Sequence, residues 1–238
     1  MRNFFRSLVF GLAAILVLTL SNLPANATSL TYNLTSIISG YDPVGTSPWI
    51  IVTIADAVTP NTVNVTVNTS NLTSNGQFIT EIYLNSSVTL ASGDFTSFSP
   101  NPASLTLCFP NSAQCRPDGD GNFNIKAGFT SANNADRFTA GETETFTITH
   151  SGLDATDFDL ASITGGAHGT YMVAAHIQGI PNTAGGTCST FIGAQNSLGT
   201  GTGSPDGPCS ASVPEPSTLL LLGVGLILTG GIARRFTR

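Results

Sequence analysis

Positive charge is what this chain has least of. Lysine and arginine together number 8 against 14 aspartates and glutamates in 238 residues, and charged residues of all kinds make up 9%. Position sharpens the scarcity. Between residues 28 and 212 only Arg116, Lys126 and Arg137 are basic, against the carboxylates from Asp42 to Asp206, which leaves that stretch strongly acidic. Without a basic stripe there is nothing to neutralise phosphates, so nucleic acid is excluded as a partner. Tryptophan occurs once and tyrosine four times, so any aromatic platform for sugar rings would be small. Helical periodicity is missing before residue 213, which argues against an α-helical fold. No Gly-x-Ser-x-Gly elbow appears, which removes the α/β-hydrolases. Glu81, Glu142 and Glu144 are the glutamates available before the C-terminal tail, a thin supply for the paired carboxylates of glycoside cleavage.

What is present is alternation. Thr62 to Asn68 and Thr143 to Thr149 alternate valine, phenylalanine or isoleucine with threonine and asparagine, the pattern of a half-buried strand. Further runs are Leu30–Ile38, Trp49–Ile54, Phe78–Leu84, Ser104–Phe109, Phe123–Phe129 and Tyr171–Gln178. Turn clusters such as Tyr41-Asp42-Pro43, Ser99-Pro100-Asn101-Pro102 and Pro117-Asp118-Gly119 separate them. Eight or nine short strands predict an all-β fold, an antiparallel β-sandwich of jelly-roll or immunoglobulin-like type. The stretch from Gly185 to Pro208, heavy in glycine, threonine and serine, reads as long loops or the start of a spacer.

The two ends carry addresses. Arg2 and Arg6, the apolar run Leu8 to Leu20 and the small-residue box Ala25-Asn26-Ala27 predict a signal peptide over residues 1–27, cut by signal peptidase to start the mature chain at Thr28. At the other end stand Pro214-Glu215-Pro216, an apolar run from Leu219 to Ala233, and Arg234, Arg235 and Arg238. The prolines keep the motif extended, as a protease cleft requires. Residues 217–233 suit a short transmembrane helix, and the arginines hold its end in the cytoplasm. In this fixed order the features resemble the PEP-CTERM sorting tail of Gram-negative bacteria, here residues 213–238. The resemblance implies recognition by an exosortase-type membrane protease, passage through an inner-membrane intermediate, and delivery to the cell surface or extracellular matrix together with exopolysaccharide. Between the two addresses, residues 28–212 form one ectodomain, long enough to bury about 70% of its unfolded surface.

Cys108, Cys115, Cys188 and Cys209 are even in number and suit an oxidising compartment. The turn-like Phe109 to Gln114 between the first two favours Cys108–Cys115, with Cys188–Cys209 as the second bridge. A zinc site lacks both a Cys-x-x-Cys pair and histidines at ligand spacing. Asp118, Asp120, Asn122 and Asn124 place oxygens at alternate positions of a glycine-bearing loop, as a weak calcium site needs. The segment resembles the first half of an EF-hand or dockerin loop, but Phe123 and Phe129 stand where glycine and a bidentate glutamate belong; the plain alternative is a β-turn. No other cofactor is expected. His150, His168 and His176 read as loop and sheet-face residues with local hydrogen bonds. Arg137 is expected beside Asp136 or Glu142. Three function classes follow: a non-enzymatic surface protein, a lectin-like module using Trp49, Tyr32, Tyr41 and Tyr83, and a secreted hydrolase.

Overall fold

A computed structural model describes residues 27–195 apart from 74–75, 110–112, 133–134, 164–168 and 183–185. The expected signal peptide, sorting motif and membrane helix lie outside the described residues; among those described, no helix is long and apolar enough to cross a membrane. Two antiparallel sheets make an all-β sandwich. The first runs in the order β1 (Ser29–Leu34), β3 (Ile50–Asp56), β4 (Thr62–Asn68), β10 (Thr143–Thr149), β6 (Phe95–Ser99). The second runs β2 (Ser36–Gly40), β12 (Thr187–Ala194), β11 (Val173–Pro181), β5 (Phe78–Leu84), β8 (Ile125–Phe129), β7 (Ala103–Leu107), with the short β9 (Phe138–Thr139) also on β5.

The alternation read in the sequence builds the core. Val63, Val65 and Val67 of β4 pair with Ile148, Phe146 and Glu144 of β10, and the apolar members of both rows are buried. They face Ile79, Ile82, Ile125 and Ile177 of the second sheet within one cluster. Each such side chain contributes about 1.5–3 kcal/mol by leaving water. β4, β5 and β10 have the bounds their sequence patterns predict.

Three expectations need correction. The run Leu30–Ile38 is two strands. It breaks at Thr35, where the inward set shifts from Tyr32 and Leu34 to Ile37, and the chain passes from the first sheet to the second. The glycine- and threonine-rich stretch after Gly185 is not simply loop, for β12 lies within it between β2 and β11. Thr187, Thr190, Phe191 and Ile192 are strand formers that outweigh the loop-like composition. Gly193 is required there because a Cβ would lie 2.6 Å from the Tyr171 ring. β6 escapes sequence reading because Phe95 and Phe98 stand three apart and Ser97 has φ +60°, which erases the period of two.

Candidate functional site: the covered outer face of the second sheet

β5 contains one residue too many. Glu81 pairs with His176 of β11, but Ile79 already pairs with the next residue, Ile177, so Thr80 is an unpaired insertion, a β-bulge. Such bulges re-aim side chains. Here Ile79 and Ile82, three apart, both reach the core, while Thr80 and Glu81 both turn to the outer face.

A polar cluster results. Glu81 Oε1 lies 3.2 Å from Lys126 Nζ, and Glu81 Oε2 accepts the Tyr83 hydroxyl at 2.5 Å. His176 Nδ1 is 2.8 Å from Thr80 Oγ1 and 3.8 Å from Glu81 Oε2. The imidazole lies flat on Phe191, with centroids 4.0 Å apart. Burial drives the Tyr83 hydroxyl well above its ordinary value, helped by the hydrogen bond and charge of Glu81 and by the charge of Asp118, so it remains a donor. Burial holds His176 below 6.5 against the opposing charges of Glu81 and Asp118, so the ring is mostly neutral at pH 7.

The arrangement does not make a nucleophile. In a hydroxyl–imidazole–carboxylate relay, hydroxyl and carboxylate engage opposite ring nitrogens; here both approach Nδ1. Glu81 has its oxygens occupied by a cation and a phenol. The chemistry is that of a clasp.

The clasp lies under a lid to which Cys108, Phe109 and residues 113–124 contribute. Cys108 and Cys115 are joined, with Cα atoms 6.2 Å apart, as their spacing predicts. Both are buried with Phe123, Tyr83, Tyr171 and Ile38 in a second apolar cluster, separate from the main core. The Tyr83 and Phe123 rings meet at 5.7 Å. Cys188 is disulfide-bonded; Cys209, its expected partner, lies outside the described residues.

The four oxygen-bearing residues of the expected calcium loop belong to this lid. Asn124 is buried, its Oδ1 accepting from Ser86 N at 3.0 Å and its Nδ2 donating to Ser86 O at 2.8 Å. Asn122 Oδ1 accepts from Arg116 Nε at 2.8 Å. Asp120 is buried, while Asp118 is exposed with φ +43°. Asn124 therefore ties the lid to Ser86 while Asn122 is engaged within the lid, and an ion here would rely on Asp118, Asp120 and backbone oxygens. Among the described residues, no group of three or more histidine, cysteine, aspartate or glutamate side chains is arranged to hold a metal.

The remaining candidates are scattered. His150 follows β10 with Nδ1 3.1 Å from Asp94, far in the topology from His176, and His168 lies outside the described residues. Arg137 donates to Ser131 O and covers the Phe78 ring at 4.2 Å. Glu142 Oε2 accepts from Thr139 N at 2.6 Å. Glu144 is fully buried and accepts Asn101 N at 2.9 Å. Burial raises its carboxyl above the ordinary value, opposed by hydrogen bonds from Asn101 and Ser99 and reinforced by Glu142. The tyrosines offered for sugar stacking are internal: Tyr32 and Tyr83 are buried, and Tyr32 donates to Phe158 O at 3.0 Å. Trp49 and Tyr41 are half-buried and pack on the core.

Sequence reading passed over Glu81, Lys126 and Thr80 as members of one site. The signal was there: Ile79 and Ile82, spaced by three inside a strand, mark a bulge.

Residues 212–238 match the family described as PEP-CTERM protein-sorting motif. The motif implies export, membrane-associated sorting toward the cell surface and processing by exosortase, a membrane protein. No curated protein and no solved structure gives a significant match to the chain.

Proposed function

We propose that this is a non-enzymatic protein of the cell surface or extracellular matrix, exported through its N-terminal segment, sorted through residues 213–238 and held among exopolysaccharide. The sorting motif carries the reading. Three further features support it. The strongly acidic stretch 28–212 keeps such a protein soluble outside the cell. The disulfide suits an oxidising compartment. The best-formed polar cluster lies under a lid and is organised as a clasp. The lectin-like alternative loses Tyr32 and Tyr83 as stacking surfaces, because both are buried.

Fractionation of the host cell tests the reading. Wild-type protein should appear at the surface, and Pro214→Ala or Glu215→Ala should accumulate in the inner membrane. In a strain lacking exopolysaccharide the processed protein should be shed into the medium. Equal surface delivery of both variants would refute the sorting role. Undiminished retention without exopolysaccharide would refute the matrix association.

A further inference from the structure

The mature chain is expected to begin at Thr28, and the structure shows what its nitrogen touches. Thr28 N donates to Asp56 Oδ2 at 2.7 Å, the length of a hydrogen bond to a charged acceptor. The contact is two-sided, since Asp56 N donates to Thr28 O at 2.9 Å. The other carboxylate oxygen, Oδ1, accepts Ala155 N at 2.7 Å. One side chain thus joins the start of β1, the end of β3 and the turn at residues 155–158. Ala27 lines a pocket of about 450 Å³ together with Asp56, Asp154 and the turn between β3 and β4.

We infer that Asp56 is the receiving site for the α-ammonium created by signal cleavage, so that processing itself locks the first strand onto the sandwich. The inference rests on the signal-peptide part of the export reading. Hydrolysis adds one water across the Ala27–Thr28 amide. The carbonyl carbon takes the new oxygen and leaves as the carboxylate of the signal peptide; the nitrogen stays on Thr28 and is protonated. A neutral N–H donor thereby becomes a cation at hydrogen-bond distance from a carboxylate, with the neighbouring pocket open to hydrate its remaining protons. The titratable groups facing the nitrogen are Asp56 from β3 and Asp154 from the turn that follows β10. Asp154 accepts from the Thr156 hydroxyl and from Thr156 N, which hold it below its ordinary value, so it is a second anion. No cation is among the residues lining the pocket.

The consequence is directional. While the signal peptide is attached, β1, an edge strand of the first sheet, has at this point an ordinary amide contact. After cleavage it has an ion pair, so the precursor is held more loosely than the product. Asp56 already joins three elements through hydrogen bonds, and cleavage turns one of them into an ion pair.

The test uses the exported protein as purified from its host, with limited acetylation at a series of pH values and mass mapping of the N-terminal peptide. An α-amine in an unfolded chain titrates near 7.7–8.0. The native wild type should show a midpoint at least about one unit higher, so that acetylation at pH 7.5 is roughly tenfold slower than in urea. In Asp56→Asn, whose amide oxygen can still accept from Ala155, the midpoint should return to the urea value. A native wild-type midpoint equal to that in urea overturns the inference, and this holds even if Asp56→Asn fails to fold. A raised midpoint that persists in Asp56→Asn also overturns it, because another group would then be responsible. An N-terminus other than Thr28 removes this inference together with the cleavage reading. An N-terminus at Thr28 with an unshifted midpoint removes the inference alone.

Discussion

The two sheets share a core but differ on their outer faces. On the first sheet, Thr66 stands between Thr53 and Thr145, and Asn64 stands opposite Thr147. These residues bond to one another, as Thr147 Oγ1 does to Asn64 Oδ1 at 3.1 Å and Asn68 Nδ2 to Thr143 Oγ1 at 3.3 Å. β4 and β10 are regular along their whole paired length, and the register shifts only where β10 meets the edge strand β6. On the second sheet, register shifts interrupt the pairing of β5, β11 and β12, and charged groups lie beneath a disulfide-closed lid. A face that meets only water needs alternation and nothing else. A face that must seat a charged cluster and a lid gives up alternation to aim its side chains.

The comparison can be broken by mutation, beginning with the core that both sheets share. Phe146→Ala removes a ring stacked on Phe98 at 4.7 Å and should cost about 3–5 kcal/mol in denaturant melts. Thr147→Ala, the next residue but on the outer face, should stay within about 0.5 kcal/mol. Comparable losses for the two would mean that the outer ladder is structural. On the second sheet, Gly179→Ala should cost at least about 1–3 kcal/mol, because φ is +74° and the new Cβ would lie 2.1 Å from Gly76 O. Gly141, at φ +90° in open space, provides the control: its alanine variant isolates the backbone strain, and the difference between the two measures the close approach.

The lid gives the next effect. Reducing Cys108–Cys115, which closes a short loop, should cost about 2.5 kcal/mol on the chain-entropy model. It should also expose Tyr83 and Phe123, read as increased binding of a hydrophobic dye. A Cys108→Ser/Cys115→Ser variant as stable as the wild type would show that the apolar cluster closes the lid without the bond.

Glu144 couples the first sheet to pH. Its carboxyl is raised in the folded state, so the native chain holds the proton more tightly than the unfolded one. Stability from this group is therefore greatest below the ordinary carboxyl range and falls as pH rises through the native value. Melting temperature followed across that interval should decline in the wild type and flatten in Glu144→Gln, which keeps an oxygen for Asn101 N. Identical pH profiles would show that Glu144 does not titrate differently in the two states. The smallest effect is calcium. With Asn122 and Asn124 engaged by Arg116 and Ser86, 10 mM calcium should leave the melting temperature unchanged relative to EDTA. A rise abolished by Asp118→Ala/Asp120→Ala would establish an ion site on the two carboxylates.

What was legible in the sequence follows the same division. β4 and β10 could be bounded to the residue because threonine and valine alternate without interruption. Among the described residues twelve strands replace the expected eight or nine because β6, β9 and β12 are irregular, two residues long, or disguised by glycine and threonine. Thr35 separates one strand from the next without a turn signal, since a chain leaving one sheet for the other keeps its β-forming residues while its inward set shifts. The Cys108–Cys115 bridge was legible from local spacing. The Glu81 cluster was not, because its members come from three strands distant in sequence, and only the spacing of Ile79 and Ile82 betrays the bulge. The Asp118–Asn124 loop shows the converse: a ligand-like string whose amides are taken by residues as distant as Ser86.

Neither sheet states where the protein goes; residues 212–238 do. The most direct measurement is the intact mass of the surface-exposed protein from its natural host. The account predicts a chain that starts at Thr28 and ends near Pro214–Pro216, without Leu219 to Arg238. A surface form whose mass still includes Leu219 to Arg238 would contradict it and reduce the tail to an anchor.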